Sequence, residues 1–195
     1  MSKQDEMMIP RADAVKAVAL TCRRLGMLHI AFAATLVKEL GQEKGEELTR
    51  KAIKEYARMI GAKKKEVALN QGWELTQENF RKLSDLPAFG MHDKREEVVV
   101  DGEKRHRAYG CAMSKVWHEY GQDKLGRIYC YVDPASAMTF NPDFKNVHTR
   151  AVPDGDPFCE LTYRSTSEKD KKELKKENTN FKAIEESISH KAKKK

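Results

Sequence analysis

Apolar residues recur at three- and four-residue steps near the start of the chain: Val15, Val18, Ala19, Cys22, Leu25, Leu28, Phe32 and Leu36. That spacing predicts a long helix over 11–39, with Gly41 as its C-cap. A second stripe of Leu48, Ala52, Ile53, Tyr56 and Met59 predicts a helix over 43–60, ended by Gly61. A third, shorter helix is expected over 76–83. Thr76 is its N-cap, and Asn79 stands where a capping box has Glu.

The period then changes. Segments 96–100 and 104–110 flank Asp101-Gly102, a strong hairpin signal. Helical spacing returns over 111–120 and ends near Gly121. Residues 126–132 alternate, which predicts a strand. Asp133-Pro134 then starts a short helix that Asn141-Pro142 breaks. Strands are expected over 147–152 and 158–164, joined through the turn from Pro153 to Pro157. Helices first, then strands with helical insertions, argue for an α+β fold: N-terminal helices packed on an antiparallel or mixed sheet. There is no internal repeat and no βαβ series with a glycine-rich loop.

Composition alters this picture at the C-terminal end. The chain has 195 residues, 39% hydrophobic and 34% charged, with a formal net charge of +7. Residues 165–195 hold ten Lys against six Asp or Glu, so this segment carries +4 of that charge. The expected organisation is an α+β body over 1–164 and a basic, polar tail over 165–195. The tail should be disordered or a solvated helix, with Leu174, Phe181, Ile184 and Ile188 as weak anchors.

A pI near 9.1 invites a nucleic-acid partner. No helix-turn-helix, zinc finger or aromatic RNA-binding motif accompanies it, and Lys63-Lys64-Lys65 and Lys193-Lys194-Lys195 are short runs, so no nucleic acid is expected. The polar start, Met1 to Glu6, does not read as a secretory signal. The longest apolar run, 27–37, is interrupted by His29 and falls short of a bilayer span. The expectation is a cytoplasmic protein off the membrane, with its four cysteines as thiols and a homo-oligomer left open.

Three of those cysteines have distinctive neighbourhoods. On the predicted strand Cys130 shares a face with Ile128 and Val132, and the Asp133-Pro134 turn returns a carboxylate toward the thiol. A thiolate beside an acid can attack an electrophilic carbon while a nitrogen is protonated. The bland alternative is a buried core thiol and a helix-capping aspartate. Cys111 opens the 111–120 helix, where backbone N–H groups would lower its pKa, or it is a small residue at a tight junction. Cys159 alternates with Leu161 and Tyr163 on a strand, and Cys22 lies on the first apolar stripe; core packing is the default for both. Arg107, Arg150 and Arg164 are candidates to fork onto a substrate carboxylate. His118, His148, Asp133 and the cysteines form an alternative metal-ligand set, although no paired spacing of a structural zinc site occurs.

Several segments together resemble the L-2-amino-thiazoline-4-carboxylic acid hydrolase family. They are Leu36-Val37-Lys38-Glu39-Leu40-Gly41, Cys111-Ala112-Met113-Ser114-Lys115-Val116-Trp117, Gly126-Arg127-Ile128-Tyr129-Cys130-Tyr131-Val132-Asp133, Phe140-Asn141-Pro142, and Gly155-Asp156 followed by Cys159. The similarity runs from about Arg11 to Arg164 and leaves the tail outside. The resemblance implies a hydrolase acting on C–N chemistry, opening a cyclic amidine to an N-carbamoyl amino acid without a cofactor. The catalytic candidates are Cys130, Asp133 and Cys111. The candidate substrate contacts are Cys159, Asn141, His118 and Arg150. Two alternatives stand beside it: a non-catalytic small-molecule-binding domain of vinyl-4-reductase type, which the last turn resembles, and a metal-thiolate protein.

Overall fold

A computed structural model describes residues 9–84, 86–87 and 89–188. The polar start at 1–6 and the Lys193-Lys194-Lys195 run lie outside the described residues.

Two long helices, α1 (Arg11–Leu40) and α2 (Gln42–Asn70), fold back on each other through Gly41. Gly41 takes φ 81°, and its N–H closes on Val37 O at 2.9 Å. The apolar stripe of α1 is rotated from the predicted one. Cys22, Gly26, His29, Ile30 and Ala33 face the core, while Leu28 and Phe32 are 56% and 66% exposed. By length and hydropathy α1 is apolar enough to cross a bilayer, contrary to the sequence expectation, yet one face is built into the core against α2 and α4. Helix α2 continues well past Gly61. That glycine is a contact point instead of a stop: a Cβ there would lie 2.4 Å from Ser136 O.

Helix α3 (Gln77–Lys82) starts at Thr76, whose side chain accepts the N–H of Asn79 at 3.2 Å. Strands β1 (Lys94–Val100) and β2 (Glu103–Tyr109) form the predicted hairpin. Asp101 and Gly102 both have positive φ, as that tight turn requires. Helix α4 (Ala112–Glu119) has Cys111 as N-cap.

The segment predicted as a strand over 126–132 is helix α5 (Asp123–Tyr129), followed by α6 (Val132–Phe140). The reason is packing. Leu125, Ile128 and Tyr129 bury one helical face, and Gly126 sits flat against the Trp117 ring. Cys130 therefore ends a helix, and Asp133 lies inside the first turn of α6 instead of capping it.

Strands β3 (Phe144–Arg150) and β4 (Cys159–Ser165) complete a four-stranded antiparallel sheet in the order β1-β2-β4-β3. A register irregularity between His148 and Arg150 bends β3 at its end. The fold is α+β, with the helices N-terminal, as expected.

Residues 165–188 form two short helices that dock on the body along one face and leave most of their charged residues exposed. A capping box of Ser167 and Asp170 opens α7 (Glu168–Lys175), and Asn180 caps α8 (Phe181–Glu186). Phe181 stacks on Tyr131 at 5.0 Å, and Phe181 and Ile184 are fully buried. Of the other expected anchors, Leu174 is half-buried and Ile188 is exposed.

Candidate functional site

One face of the sheet forms the floor of a cavity of about 630 Å³. Strand alternation selects the floor: Arg95 from β1, His106 and Ala108 from β2, Cys159, Leu161 and Tyr163 from β4, Asn146 and His148 from β3. Pairing sets these in rows. His106 and His148 both lie opposite Leu161, and Ala108 lies opposite both Arg95 and Cys159. The roof comes from α2 (Tyr56, Ile60, Lys64), α4 and its cap (Cys111, Met113, Trp117) and the α5–α6 junction (Tyr129, Cys130, Val132, Asp133, Ser136).

The cavity therefore gathers Cys111, Cys130 and Cys159 with Asp133. Cys22 does not line it; it lies behind, in the same core cluster as Cys111. Cys130 and Asp133 are one turn apart, because Asp133 N–H donates to Cys130 O at 3.2 Å. A helical turn brings positions three apart to one side, so thiol and carboxylate face the same space.

The other three predicted contacts are elsewhere. His118 is exposed on α4, 3.3 Å from Asp123, along a separate surface groove. Asn141 donates through Nδ2 to Leu75 O at 2.8 Å, and its Oδ1 accepts Asp143 N–H at 2.8 Å, so it ties loops together. Arg150 is exposed and paired with Asp156 at 3.5 Å. Its predicted fellows are also occupied. Arg107 donates to Glu160 at 2.8 Å and Arg164 to Glu103 at 2.8 Å, on the sheet face opposite the cavity.

In their place the fold brings in His148 and Arg95. His148 is almost fully buried. Its Nε2 lies 3.8 Å from Asp133 Oδ2 and its Nδ1 lies 3.4 Å from Glu185 Oε1. Arg95 stands at the mouth. It has no hydrogen bond or ion pair among the described residues, and the cavity's other β1–α3 guanidinium, Arg81, is paired with Glu97 at 3.1 Å. In sequence His148 had only the metal reading, and Arg95 had none. The usable signal was alternation: His148 shares a strand face with Asn146, opposite the buried Lys145 and Val147.

Electrostatics follow from enclosure. Burial raises the Cys130 thiol well above its usual value, although Arg127 pulls it down. Burial also raises Cys111, outweighing the N–H groups of Ser114 and Met113, so the helix N-terminus does not make it a thiolate. Burial pushes Cys159 up to about 11. The resting site holds thiols. Asp133 is raised by burial too, with His148 opposing, and this suits a carboxyl group that carries and donates a proton. His92, at the cavity edge, is lowered to about 4 by burial and by Arg95, so it is neutral at pH 7. Among the described residues no three His, Cys, Asp or Glu side chains converge as a metal-ligand set.

The helices thus roof an antiparallel sheet, with a thiol-lined cavity between the two layers. The sequence model of the L-2-amino-thiazoline-4-carboxylic acid hydrolase family matches residues 23–163. The chain belongs to that family. No curated protein and no solved structure matches it.

Proposed function

We propose that this cavity hydrolyses a small cyclic amidine carrying a carboxylate, of the kind L-2-amino-thiazoline-4-carboxylate represents, with Cys130 and Asp133 acting together. The observation that carries this reading is the convergence of Cys130, Asp133 and His148 on one enclosed cavity. Family membership supplies the substrate class.

The chemistry runs as hydrolysis at the amidine carbon. Asp133 gives its proton to the amidine, leaving a carboxylate–amidinium pair and a more electrophilic C2. The Cys130 thiol passes its proton to His148, and Sγ bonds to C2. The C2–S bond of the ring breaks, and the leaving sulfur takes that proton. Water then adds at C2 and gives one proton to the Asp133 carboxylate; the C2–Sγ bond breaks as the carbonyl forms, and Cys130 takes the second proton. Both nitrogens stay on C2, so the bond broken is carbon–sulfur, and the product is an N-carbamoyl amino acid bearing a free thiol. Arg95 at the mouth meets the substrate carboxylate by a charge-assisted hydrogen bond.

The test is incubation of the full chain with L-2-amino-thiazoline-4-carboxylate, following release of a new thiol. Cys130→Ser and Asp133→Asn should each abolish turnover, and the double variant should lose no more than either alone. Full activity in Cys130→Ser moves the nucleophile to water or to Cys111. Binding without turnover in the wild type gives the site to the non-catalytic reading.

A further inference from the structure

The residue behind His148 comes from outside the family's matched segment. Glu185 lies on α8, beyond residue 163, and its side chain is 5% exposed. Its Oε1 lies 3.4 Å from His148 Nδ1 and accepts the His148 backbone N–H at 3.5 Å. Its Oε2 accepts from Arg127 Nη2 at 2.6 Å, and Arg127 Nε donates to Asp154 at 2.8 Å. A row of groups thus runs inward from the surface: Asp154, Arg127, Glu185, His148, Asp133.

The segment that carries Glu185 is held down for its whole length. Phe181 stacks on Tyr131. The buried Lys145 donates to Ile184 O at 2.6 Å and to Ser187 O at 2.8 Å. The carbonyl of Ile184 directly precedes Glu185, so this anchor fixes the backbone from which the carboxylate reaches in.

We propose that Glu185 is a positioning residue for His148, and that α8 is an added element which completes the site. The proposal rests on the hydrolytic reading of the cavity. A carboxylate 3.4 Å from Nδ1, at ion-pair distance though not aligned as a hydrogen bond, favours the ring proton on that nitrogen. Nε2 is then left as the acceptor that faces Asp133 and the cavity. The same carboxylate stabilises the imidazolium that forms when His148 takes a proton. His148 and then Arg127 hold Glu185 below its usual value in a place where burial alone would neutralise it. The charged groups placed against this ring are Asp133 on α6 and Glu185 on α8. Its neighbour on β4, Leu161, is uncharged.

The experiment uses the full chain with Glu185→Gln and Glu185→Asp, read in two ways. In turnover of the thiazoline carboxylate, Glu185→Gln should lower kcat about 10- to 100-fold and leave KM within about twofold. Glu185→Asp should recover part of kcat. In nitrogen NMR of the His148 ring, which needs no substrate, the wild type should carry its proton on Nδ1, Glu185→Gln should mix the two tautomers, and Glu185→Asp should do so less. An unchanged His148 tautomer in both variants overturns the proposal, as does a wild-type kcat in Glu185→Gln. A changed tautomer in a protein that turns over no cyclic amidine keeps the positioning role and removes the hydrolytic reading instead.

Discussion

Lys145 Nζ lies 3.1 Å from Asp170 Oδ2, and the two side chains are 0% and 2% exposed. This is a fully buried ion pair between the sheet and the C-terminal segment. Each partner is otherwise satisfied: Asp170 also accepts the Ser167 N–H at 2.8 Å and hydroxyl at 2.9 Å. Such pairs add little net stability when intact but are costly to break, because one buried charge is left alone. Asp170→Ala should therefore cost about 3–5 kcal/mol in urea unfolding. Lys145→Met in the same chain should recover part of that loss, since it removes the orphaned charge. A cost below about 1 kcal/mol would mean that the pair does not dock the segment.

Glu160 gives an acid-side prediction. Burial disfavours its charge, but hydrogen bonds from Thr149, Arg105 and Arg107 outweigh this and hold it at about 2. Its usual value is 4.5, so between these values the unfolded chain binds the proton and the folded chain does not. The stability from Glu160 is complete above about pH 5 and is lost as pH falls toward 2, on the order of 3 kcal/mol. Urea unfolding at pH 5, 4 and 3 should show this slope in the wild type. Glu160→Gln should be less stable at pH 7 and should show a flatter slope below pH 5.

Some of this was legible in the chain. The turn at Asp101-Gly102 and the cap at Thr76 rest on local backbone chemistry, which acts within four residues. Helix α5 was not legible, because Gly126 to Val132 alternates like a strand, and the helix is selected by the burial of Leu125, Ile128 and Tyr129 and by the Trp117 ring against Gly126. Cys130 and Asp133 were found together because they are three residues apart. Arg95, His148 and Glu185 are brought near them by strand order and by α8, which local spacing does not encode. The tail was misread from its charge. Its few apolar residues, Phe181 and Ile184, are the ones that dock, while the lysines around them face outward.

Gly126 is required by contact. A Cβ at this position would lie 2.3 Å from Trp117 Cδ2 and 2.4 Å from Cγ, and both elements are fixed. Gly126→Ala should improve helix propensity locally yet destabilise the protein by about 1–3 kcal/mol through overpacking. Thermal unfolding measures it, and a shift in Trp117 fluorescence should accompany it. A stabilised variant would mean that α4 and α5 separate easily.

The thiols should be sluggish in the free protein. Cys159 at about 11, against an ordinary value of 9, holds about a hundredfold less thiolate, and Cys111 and Cys130 are raised in the same direction. Alkylation by iodoacetamide at pH 7.5 should run at least about tenfold slower than in urea-unfolded protein. Mapping the modified residues by mass spectrometry would show whether any one escapes this. Fast labelling of Cys130 alone would mean that Arg127 outweighs burial there.

Arg95 and Arg150 lie in different cavities, Arg95 beside the thiols and Arg150 away from them. Arg150 is spent on Asp156, and its cavity lies on the far side of His148 from the thiols. Arg95 lines the thiol cavity and has no ion-pair partner among the described residues. A hydrogen bond to a charged group contributes about 1.5–3 kcal/mol, less where water reaches it, as at this mouth. Arg95→Ala should therefore raise KM for the thiazoline carboxylate about tenfold with kcat nearly unchanged, because the contact is the same in ground and transition states. Arg95→Lys should fall between the two, since a lysine keeps the charge and loses the fork. Arg150→Ala should leave KM within about twofold. The opposite ranking would place the substrate carboxylate in the second cavity and return Arg150 to the role that its sequence position first gave it.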